Sequence, residues 1–139
     1  MTADEAFSAS LAGGLIAAPG SQIVIAEWTD PGGGGEPPQY IAPLHLHHMD
    51  DEAWYVIDGA LVVRSGDHDI DVPAGGGVIV PRGTPHTFWN PRAEPTRYLL
   101  VMTPRIRALI DALHATEHRT PDAVAVVFAE HESEYLGRP

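Results

Sequence analysis

Three histidines and one glutamate occur in this chain at spacings that suit β-strands and a shared interior. His45 and His47 are two residues apart, Glu52 follows five residues later, and His86 lies further along the chain. Because side chains two apart in a strand face the same side, His45 and His47 are expected to point together. A turn over residues 48–51 would reverse the chain, so that Glu52 opens a neighbouring strand and faces the same interior.

Three imidazoles and one carboxylate form a donor set for one divalent transition metal, which could be Fe, Mn, Zn, Ni or Cu. Four protein donors around an octahedral ion leave two positions open, where water, dioxygen or a substrate can bind. Beside a single glutamate the ion keeps net positive charge, so it favours an enolate, phenolate or carboxylate substrate. The metal would act as a Lewis acid, or as a redox centre if it is Fe, Mn, Cu or Ni.

Short strand-like segments dominate the middle of the chain and predict an all-β sandwich or barrel. The predicted strands, besides the one that carries His45 and His47, cover residues 22–29, 53–57, 61–64, 68–72, 78–80, 85–89 and 96–103. Asp58-Gly59 predicts a hairpin turn, and Ser65-Gly66-Asp67 a second turn. The glycine-rich residues 30–38 predict a loop rather than a linker between domains.

The last part of the chain predicts one helix or two. Thr103 and Thr120 each precede a proline, which is the pattern of an N-cap followed by proline in the first turn. An apolar stripe at helical spacing is formed by Ile106, Leu109, Ile110 and Leu113. We expect a single domain over residues 1–139, with a barrel core at about 22–103 and a helical tail at about 104–132. The stripes are expected to cover the outer face of a sheet or a partner subunit.

The amino-acid composition excludes several kinds of site and of binding partner. The chain has no cysteine, which excludes disulfides, iron–sulfur clusters and thiol catalysis. Its formal net charge of −11 argues against nucleic acid and anionic membranes as partners. The N-terminus is acidic, and the apolar residues 11–18 are few and interrupted by glycine, so neither a signal peptide nor a membrane span is expected. We therefore predict a cytoplasmic protein that binds a small molecule.

Two stretches of the chain resemble the two motifs of the cupin superfamily. The first motif is matched by His45-x-His47-x4-Glu52-x6-Gly59, and the second by Gly75-x5-Pro81-x-Gly83-x2-His86-x3-Asn90. One position differs, because cupins usually have a glycine six residues before the first histidine, where this chain has Gln39. The resemblance covers about residues 22–103, and it is greatest to small single-domain bacterial cupins of the quercetin-dioxygenase-like group.

The resemblance implies a single jelly-roll barrel, or double-stranded β-helix, with one metal ion in its interior. The ligands that it implies are His45, His47, Glu52 and His86. It favours an oxygenase of a small aromatic or enolic substrate, with Glu52 as a ligand or as a catalytic base. A redox-neutral cyclase, isomerase or decarboxylase would use the same ligands and stays an alternative, as does a cupin that binds a small ligand without converting it.

Residues near the ligands have more than one interpretation. Trp54 and Phe88 share the inward parity of Glu52 and His86, so they could line a substrate pocket or pack in the core. His48 should face away from its two neighbours, and the remaining histidines are expected to be surface or hydrogen-bonded residues: His68, His114, His118 and His131. Because single-barrel cupins commonly pair, a homodimer is expected, with contacts from the N-terminal strand or the tail helices.

Overall fold

The computed structural model describes residues 6–139, which form two β-sheets and two helices. The strands are β1 (Leu15–Ala17), β2 (Val24–Asp30), β3 (Leu44–His47), β4 (Glu52–Asp58), β5 (Ala60–Ser65), β6 (His68–Pro73), β7 (Gly77–Val80), β8 (His86–Trp89), β9 (Thr96–Met102) and β10 (Ser133–Gly137). The helices are α1 (Pro104–Ala115) and α2 (Pro121–Ala129), and they lie between β9 and β10 in the chain.

The two sheets face each other as a jelly-roll sandwich. The first sheet has the order β1-β2-β9-β4-β7 and the second the order β10-β3-β8-β5-β6, with antiparallel pairing of the neighbours. Side chains alternate along β4, where Trp54 and Val56 are buried and Tyr55 is exposed. This period of two is the pattern from which the strands were predicted. The predicted all-β class with C-terminal helices is confirmed.

Apolar side chains of both sheets fill the space between them. The core consists of Val24, Ala26, Trp54, Val56, Leu61, Val63, Val72, Val80, Phe88, Tyr98, Leu100, Met102 and Ile106. Full burial of one large apolar side chain favours the folded state by about 1.5–3 kcal/mol. Ile106 lies on α1, so this helix is part of the core rather than an appendage to the barrel.

The turn at Asp58-Gly59 was predicted to close a hairpin, and this prediction is wrong. β4 belongs to the first sheet and β5 to the second, so the chain crosses between the sheets at this point. The Thr96 hydroxyl holds the crossing, since it donates to Ala60 O at 2.8 Å and accepts from Ala60 N at 3.1 Å. Gly59 has φ +95°, and a Cβ there would collide with Thr96 Oγ1. Glycine is therefore required for the crossing and does not signal a hairpin here.

The two other predicted turns have different outcomes. Gly66-Asp67 joins β5 to β6 as a hairpin in which Ser65 pairs with His68, as predicted. Residues 48–51 do bring Glu52 to the start of a strand, but β4 lies in the sheet opposite β3 rather than beside it. The glutamate therefore approaches the two histidines from across the sandwich.

Both helices begin at the predicted residues. Thr103 Oγ1 accepts a hydrogen bond from Ile106 N, and Thr120 Oγ1 accepts one from Ala123 N, each at 3.2 Å. The apolar faces of α1 and α2 contribute side chains to a cavity between the sheets. They therefore cover the interior of the sandwich, and the expectation that they cover the outside of a sheet is wrong.

Two strands that the sequence did not predict extend the sheets. β1 pairs with β2, and β10 pairs with β3, where Ser133 lies opposite His47. The sheets thus reach beyond the predicted core at residues 22–103, and the second helix ends at Ala129 and is followed by a strand. Within residues 6–139, no helix is both long and apolar enough to cross a membrane.

Candidate metal centre

Four buried side chains converge between the two sheets. One donor atom from each of His45, His47, Glu52 and His86 lies within 4.8 Å of the others. The Oε1 atom of Glu52 is 3.3 Å from His47 Nε2 and 3.1 Å from His86 Nε2. All four side chains are less than a tenth exposed. The predicted convergence of the four donors is therefore confirmed as geometry, and the group could hold a metal ion.

Strand pairing explains why these residues meet. His45 and His47 are the inward residues of β3, and His45 lies directly opposite His86 of β8 in the same sheet. Glu52 opens β4 in the facing sheet, where Val80 is its partner and its side chain points inward. Three imidazoles thus come from one sheet and the carboxylate from the other.

Backbone carbonyls orient two of the imidazole rings. His45 Nδ1 donates to Pro43 O at 2.7 Å, and His86 Nδ1 donates to Thr84 O at 2.8 Å. A carbonyl oxygen can only accept, so in the neutral ring the proton is on Nδ1 and the lone pair is on Nε2. Both rings therefore present a lone pair to the interior, which is the form in which histidine binds a metal.

The third ring is oriented by a residue that sequence reasoning missed. Ser133 Oγ is 2.7 Å from His47 Nδ1 and 3.1 Å from His131 O. The hydroxyl donates its single proton to the carbonyl of His131, so it accepts the Nδ1 proton of His47. Ser133 lies 86 residues after His47, on a strand that was not predicted, and no local pattern marks it.

The contacts with Glu52 show that a cation fits this group. Burial acts to raise the pKa of Glu52, but its contacts with His47 and His86 outweigh that effect and lower the pKa to about 2. Burial, together with the neighbouring His86, lowers the pKa of His45 to about 3. The contacts with His47 and His86 stabilise the carboxylate only when a proton on Nε2 lies between ring and carboxylate, whereas a ring lone pair facing the carboxylate is unfavourable unless a cation lies between them. A divalent transition metal satisfies all four donors at once.

A mainly apolar cavity of about 360 Å³ opens from the donors toward the helices. Its walls are formed by Trp28, Ile41, Ala42, Pro43, His45, His47, Glu52, Phe88, Tyr98, Leu100, Ile106, Leu109, Ile110, Leu113, His114, Arg119, Val124, Phe128 and Tyr135. This volume suits a small organic molecule. Such a molecule would have contact with three of the four donor side chains and with both helices.

The two aromatic residues proposed for the pocket have different positions. Phe88 lines the cavity and also packs in the core. Trp54 is absent from the cavity wall and packs beside it, with ring centroids 5.8 Å from His86 and 5.3 Å from Phe88. Its Nε1 has no hydrogen-bond partner among the residues that the structure describes. Trp54 therefore belongs to the core, which is one of the two positions that the sequence left open for it.

The histidines outside the group mostly lie where expected. His48, His68 and His118 are exposed. His131 Nδ1 donates to Val127 O at 2.7 Å. His114 is exposed as well, but it also borders the cavity, with its ring 6.2 Å from that of Trp28. The sequence did not indicate this last position.

Comparisons with known proteins agree with the fold. Residues 30–102 match the family model of the cupin domain. The protein TT1209 of Thermus thermophilus is 26% identical with a TM-score of 0.51, over 60% of this chain and 73% of that one. A cupin protein of Bacteroides fragilis is 12% identical with a TM-score of 0.57, over 74% and 86% of the two chains, which concerns the fold alone.

A third solved structure is described as a sugar phosphate isomerase from a cupin superfamily, from Silicibacter pomeroyi. It is 26% identical with a TM-score of 0.50, over 60% of this chain. The match spans 51% of the isomerase, about half of its length. No curated protein sequence is significantly similar to the chain.

Proposed function

This chain belongs to the cupin domain family, and on that basis we propose that it is a metal-dependent enzyme acting on a small organic molecule. The leading reaction is oxygenation of an aromatic or enolic substrate. One observation carries the proposal: of four buried donors suited to a divalent metal, three border a mainly apolar cavity of about 360 Å³. Because three of the donors line this cavity, a substrate in it would lie beside the residues that would hold the metal.

A bound divalent metal would supply Lewis-acid activation of a substrate oxygen and, if it is Fe, Mn, Cu or Ni, a redox centre for reaction with dioxygen. His45, His47 and His86 would hold it through Nε2. Glu52 would either complete the donor set or accept a proton from the substrate as its carboxylate, which is ionised at neutral pH because its pKa is lowered to about 2.

The walls of the cavity determine how a substrate would be bound beside the donors. Phe88, Leu100 and Ile106 exclude water and bind an apolar body. Burial raises the pKa of Tyr98, so its hydroxyl stays neutral and can donate a hydrogen bond to a substrate oxygen. A flavonol or β-diketone has the enolic oxygens and the apolar surface that this arrangement suits.

Oxygen consumption tests the proposal directly. The protein is loaded anaerobically with Fe(II), Mn(II), Ni(II) or Cu(II), and oxygen uptake is followed with flavonols and β-diketones. We expect substrate-dependent uptake with at least one metal, and loss of uptake in His86→Ala. A Glu52→Gln variant that keeps the metal but loses turnover would assign the base role to Glu52. No substrate-dependent uptake with any of the four metals would contradict the oxygenase proposal.

A redox-neutral isomerase or decarboxylase is the second candidate. The likeness to the isomerase from Silicibacter pomeroyi favours it. The apolar cavity argues against a sugar phosphate, since few wall residues could bind its hydroxyl groups and its phosphate. Turnover that is equal with and without oxygen, and that zinc supports, would favour this candidate. Tight binding without conversion under either condition would instead indicate a ligand-binding protein.

The expected homodimer and the cytoplasmic location stay proposals. On the outer face of the first sheet, apolar residues that pair across neighbouring strands form a continuous row. These residues are Ile16, Ile25, Val101, Ala53 and Ile79. Ile79 is 70% exposed, and we propose this face for contact with a second copy. In sedimentation, Ile79→Lys should dissociate the dimer and Ile70→Lys, on the other sheet, should not. A monomeric wild-type protein would contradict the proposal.

A further inference from the structure

Arg119 is the one arginine in the wall of the cavity, which is otherwise mainly apolar. It lies in the connection between α1 and α2 and is exposed to solvent. Among residues 6–139, Glu52 is the one carboxylate in the same wall. The cavity therefore has a carboxylate among the candidate metal donors and a cation elsewhere on its surface.

The first helix places this cation far from the metal donors. α1 begins beside the donors, because Arg105 pairs at 3.2 Å with Asp50, which is two residues before Glu52. A helix rises about 1.5 Å per residue, so His114 near its end lies about 13 Å further along the axis. Arg119 follows the end of this helix.

The second helix leads to the same conclusion from the opposite direction. Phe128, near the end of α2, has its ring centroid 5.2 Å from that of His45. Pro121 at the start of α2 is seven residues earlier, which corresponds to about 10 Å along the axis. Arg119 precedes that start, so both helices place it at the end of the cavity remote from the donors.

The guanidinium group of Arg119 is available to a ligand. Its Nε donates to Thr116 O at 3.3 Å, which leaves the two terminal nitrogens to bind other groups. Carboxylates pair with five other arginines, namely Arg64, Arg82, Arg92, Arg105 and Arg107. No such pair involves Arg119 among residues 6–139. A cation that has no carboxylate partner among the described residues, in a chain of net charge −11, is a local point of attraction for an anion.

We propose that Arg119 binds the anionic end of an elongated substrate whose reactive end lies at the metal donors. The substrate class is a carboxylate with an apolar body, because one guanidinium binds one carboxylate through two parallel hydrogen bonds. A phosphate dianion would call for several further donors, and among the described wall residues this end of the cavity offers only the side chains of His114 and Trp28. The part of the inference that concerns the reactive end of the substrate rests on the proposed function. Binding of the anionic end at Arg119 does not require a metal.

A pair of probes that differ in one group tests the inference. Binding of 6-phenylhexanoate and of the neutral 6-phenylhexan-1-ol is measured by calorimetry, with chelator-treated and with metal-loaded protein. In the chelator-treated protein no metal can hold the carboxylate, so a preference for it must come from the chain. We expect about 10-fold tighter binding of the carboxylate than of the alcohol. Arg119→Gln should abolish this preference and leave binding of the alcohol unchanged, while Arg119→Lys should keep part of it.

Arg97→Gln is the matched control. Arg97 is also exposed and outside the ion pairs formed within residues 6–139, but it lies on β9 away from the cavity wall, and its loss changes the net charge equally. Equal weakening in Arg97→Gln and Arg119→Gln, no preference for the carboxylate, or no binding of either probe would overturn the inference. If the preference depends on Arg119 but the metal-loaded protein turns over no substrate, the proposed function fails and the anion site stands.

Discussion

Ser133 Oγ and His47 Nδ1 are hydrogen-bonded at 2.7 Å, although 86 residues separate them in the chain. Through this bond the strand that follows the helices orients one of the candidate metal donors. The same strand pairs with β3 along its length, so that Ser133 lies directly opposite His47. The C-terminal strand therefore extends the second sheet and orients one residue of the donor group.

Ser133→Ala should weaken metal binding about 10-fold or more, because His47 loses the acceptor that fixes its tautomer and ring orientation. The dissociation constant is measured by competition with a chromophoric zinc chelator. Ser133→Thr keeps the hydroxyl and should retain most of the affinity. Ser21→Ala, in a turn far from the site in sequence, is the control. Equal affinities for Ser133→Ala and the wild type would show that the hydrogen bond does not support the site.

Acidification should destabilise the metal-free protein through His45. Its pKa is lowered by burial to about 3, against about 6.5 in the unfolded chain. Below pH 6.5 the unfolded chain therefore binds a proton that the folded chain excludes. The free energy of unfolding should fall between pH 6.5 and about 3, by on the order of 3 kcal/mol.

Urea unfolding of chelator-treated protein at several pH values measures this effect. Glu52 acts in the same direction at lower pH, because its pKa of about 2 in the folded chain lies below the ordinary value of 4.5. His45→Gln should reduce the dependence between pH 6.5 and 4.5, whereas His68→Gln, at an exposed site, should leave it unchanged. An identical dependence in His45→Gln and the wild type would refute the assignment.

Substitutions at two valines of α2 distinguish loss of cavity space from a general disturbance of the helix. Val124 lines the cavity, whereas Val126 is 56% exposed. Val124→Trp should fill part of the cavity and weaken binding of an aromatic probe about 10-fold, with unchanged metal content. Val126→Trp adds the same group outside and should bind the probe normally. Equal binding by both variants, measured by calorimetry, would show that the probe does not occupy this cavity.

Two glycines with positive φ test the crossing between the sheets. Gly59 has φ +95°, and an added Cβ would collide with Thr96, whereas Gly66 has φ +59° and open space around the added atom. Gly59→Ala should lower the free energy of unfolding by about 2–4 kcal/mol, and Gly66→Ala by about 1 kcal/mol. Urea unfolding measures both. If both variants lose a similar free energy of unfolding, the close contact with Thr96 is not the reason that the crossing requires glycine.

Features governed by neighbouring residues in the sequence were predicted well. The strands follow from alternation with a period of two, and the helix starts follow from Thr103 and Thr120, each followed by proline. The inward direction of His45 and His47 follows from the same alternation. Their meeting with His86 and Glu52 was suggested by the resemblance to cupin motifs and not by spacing alone.

Features that depend on distant partners were not predicted. Asp58-Gly59 has the composition of a hairpin turn, and only the pairing of the strands on either side shows that it connects two sheets. Ser133 acquires its role from the register of β10 against β3. Parity correctly placed Trp54 and Phe88 in the interior, but it could not distinguish the core from the cavity wall. That distinction depends on where the two helices leave space.

Metal content is the most direct test of the account, because every functional proposal except the anion site depends on four donors binding one ion. The protein is purified without added metal or affinity-tag metal resin, and its metals are quantified by mass spectrometry, together with those of His86→Ala and of the exposed-site control His68→Gln. We predict about one divalent transition metal per chain in the wild type and in His68→Gln, and a large loss in His86→Ala. A wild-type protein that binds no such metal even when supplied with it, or equal occupancy in His86→Ala, would contradict the account.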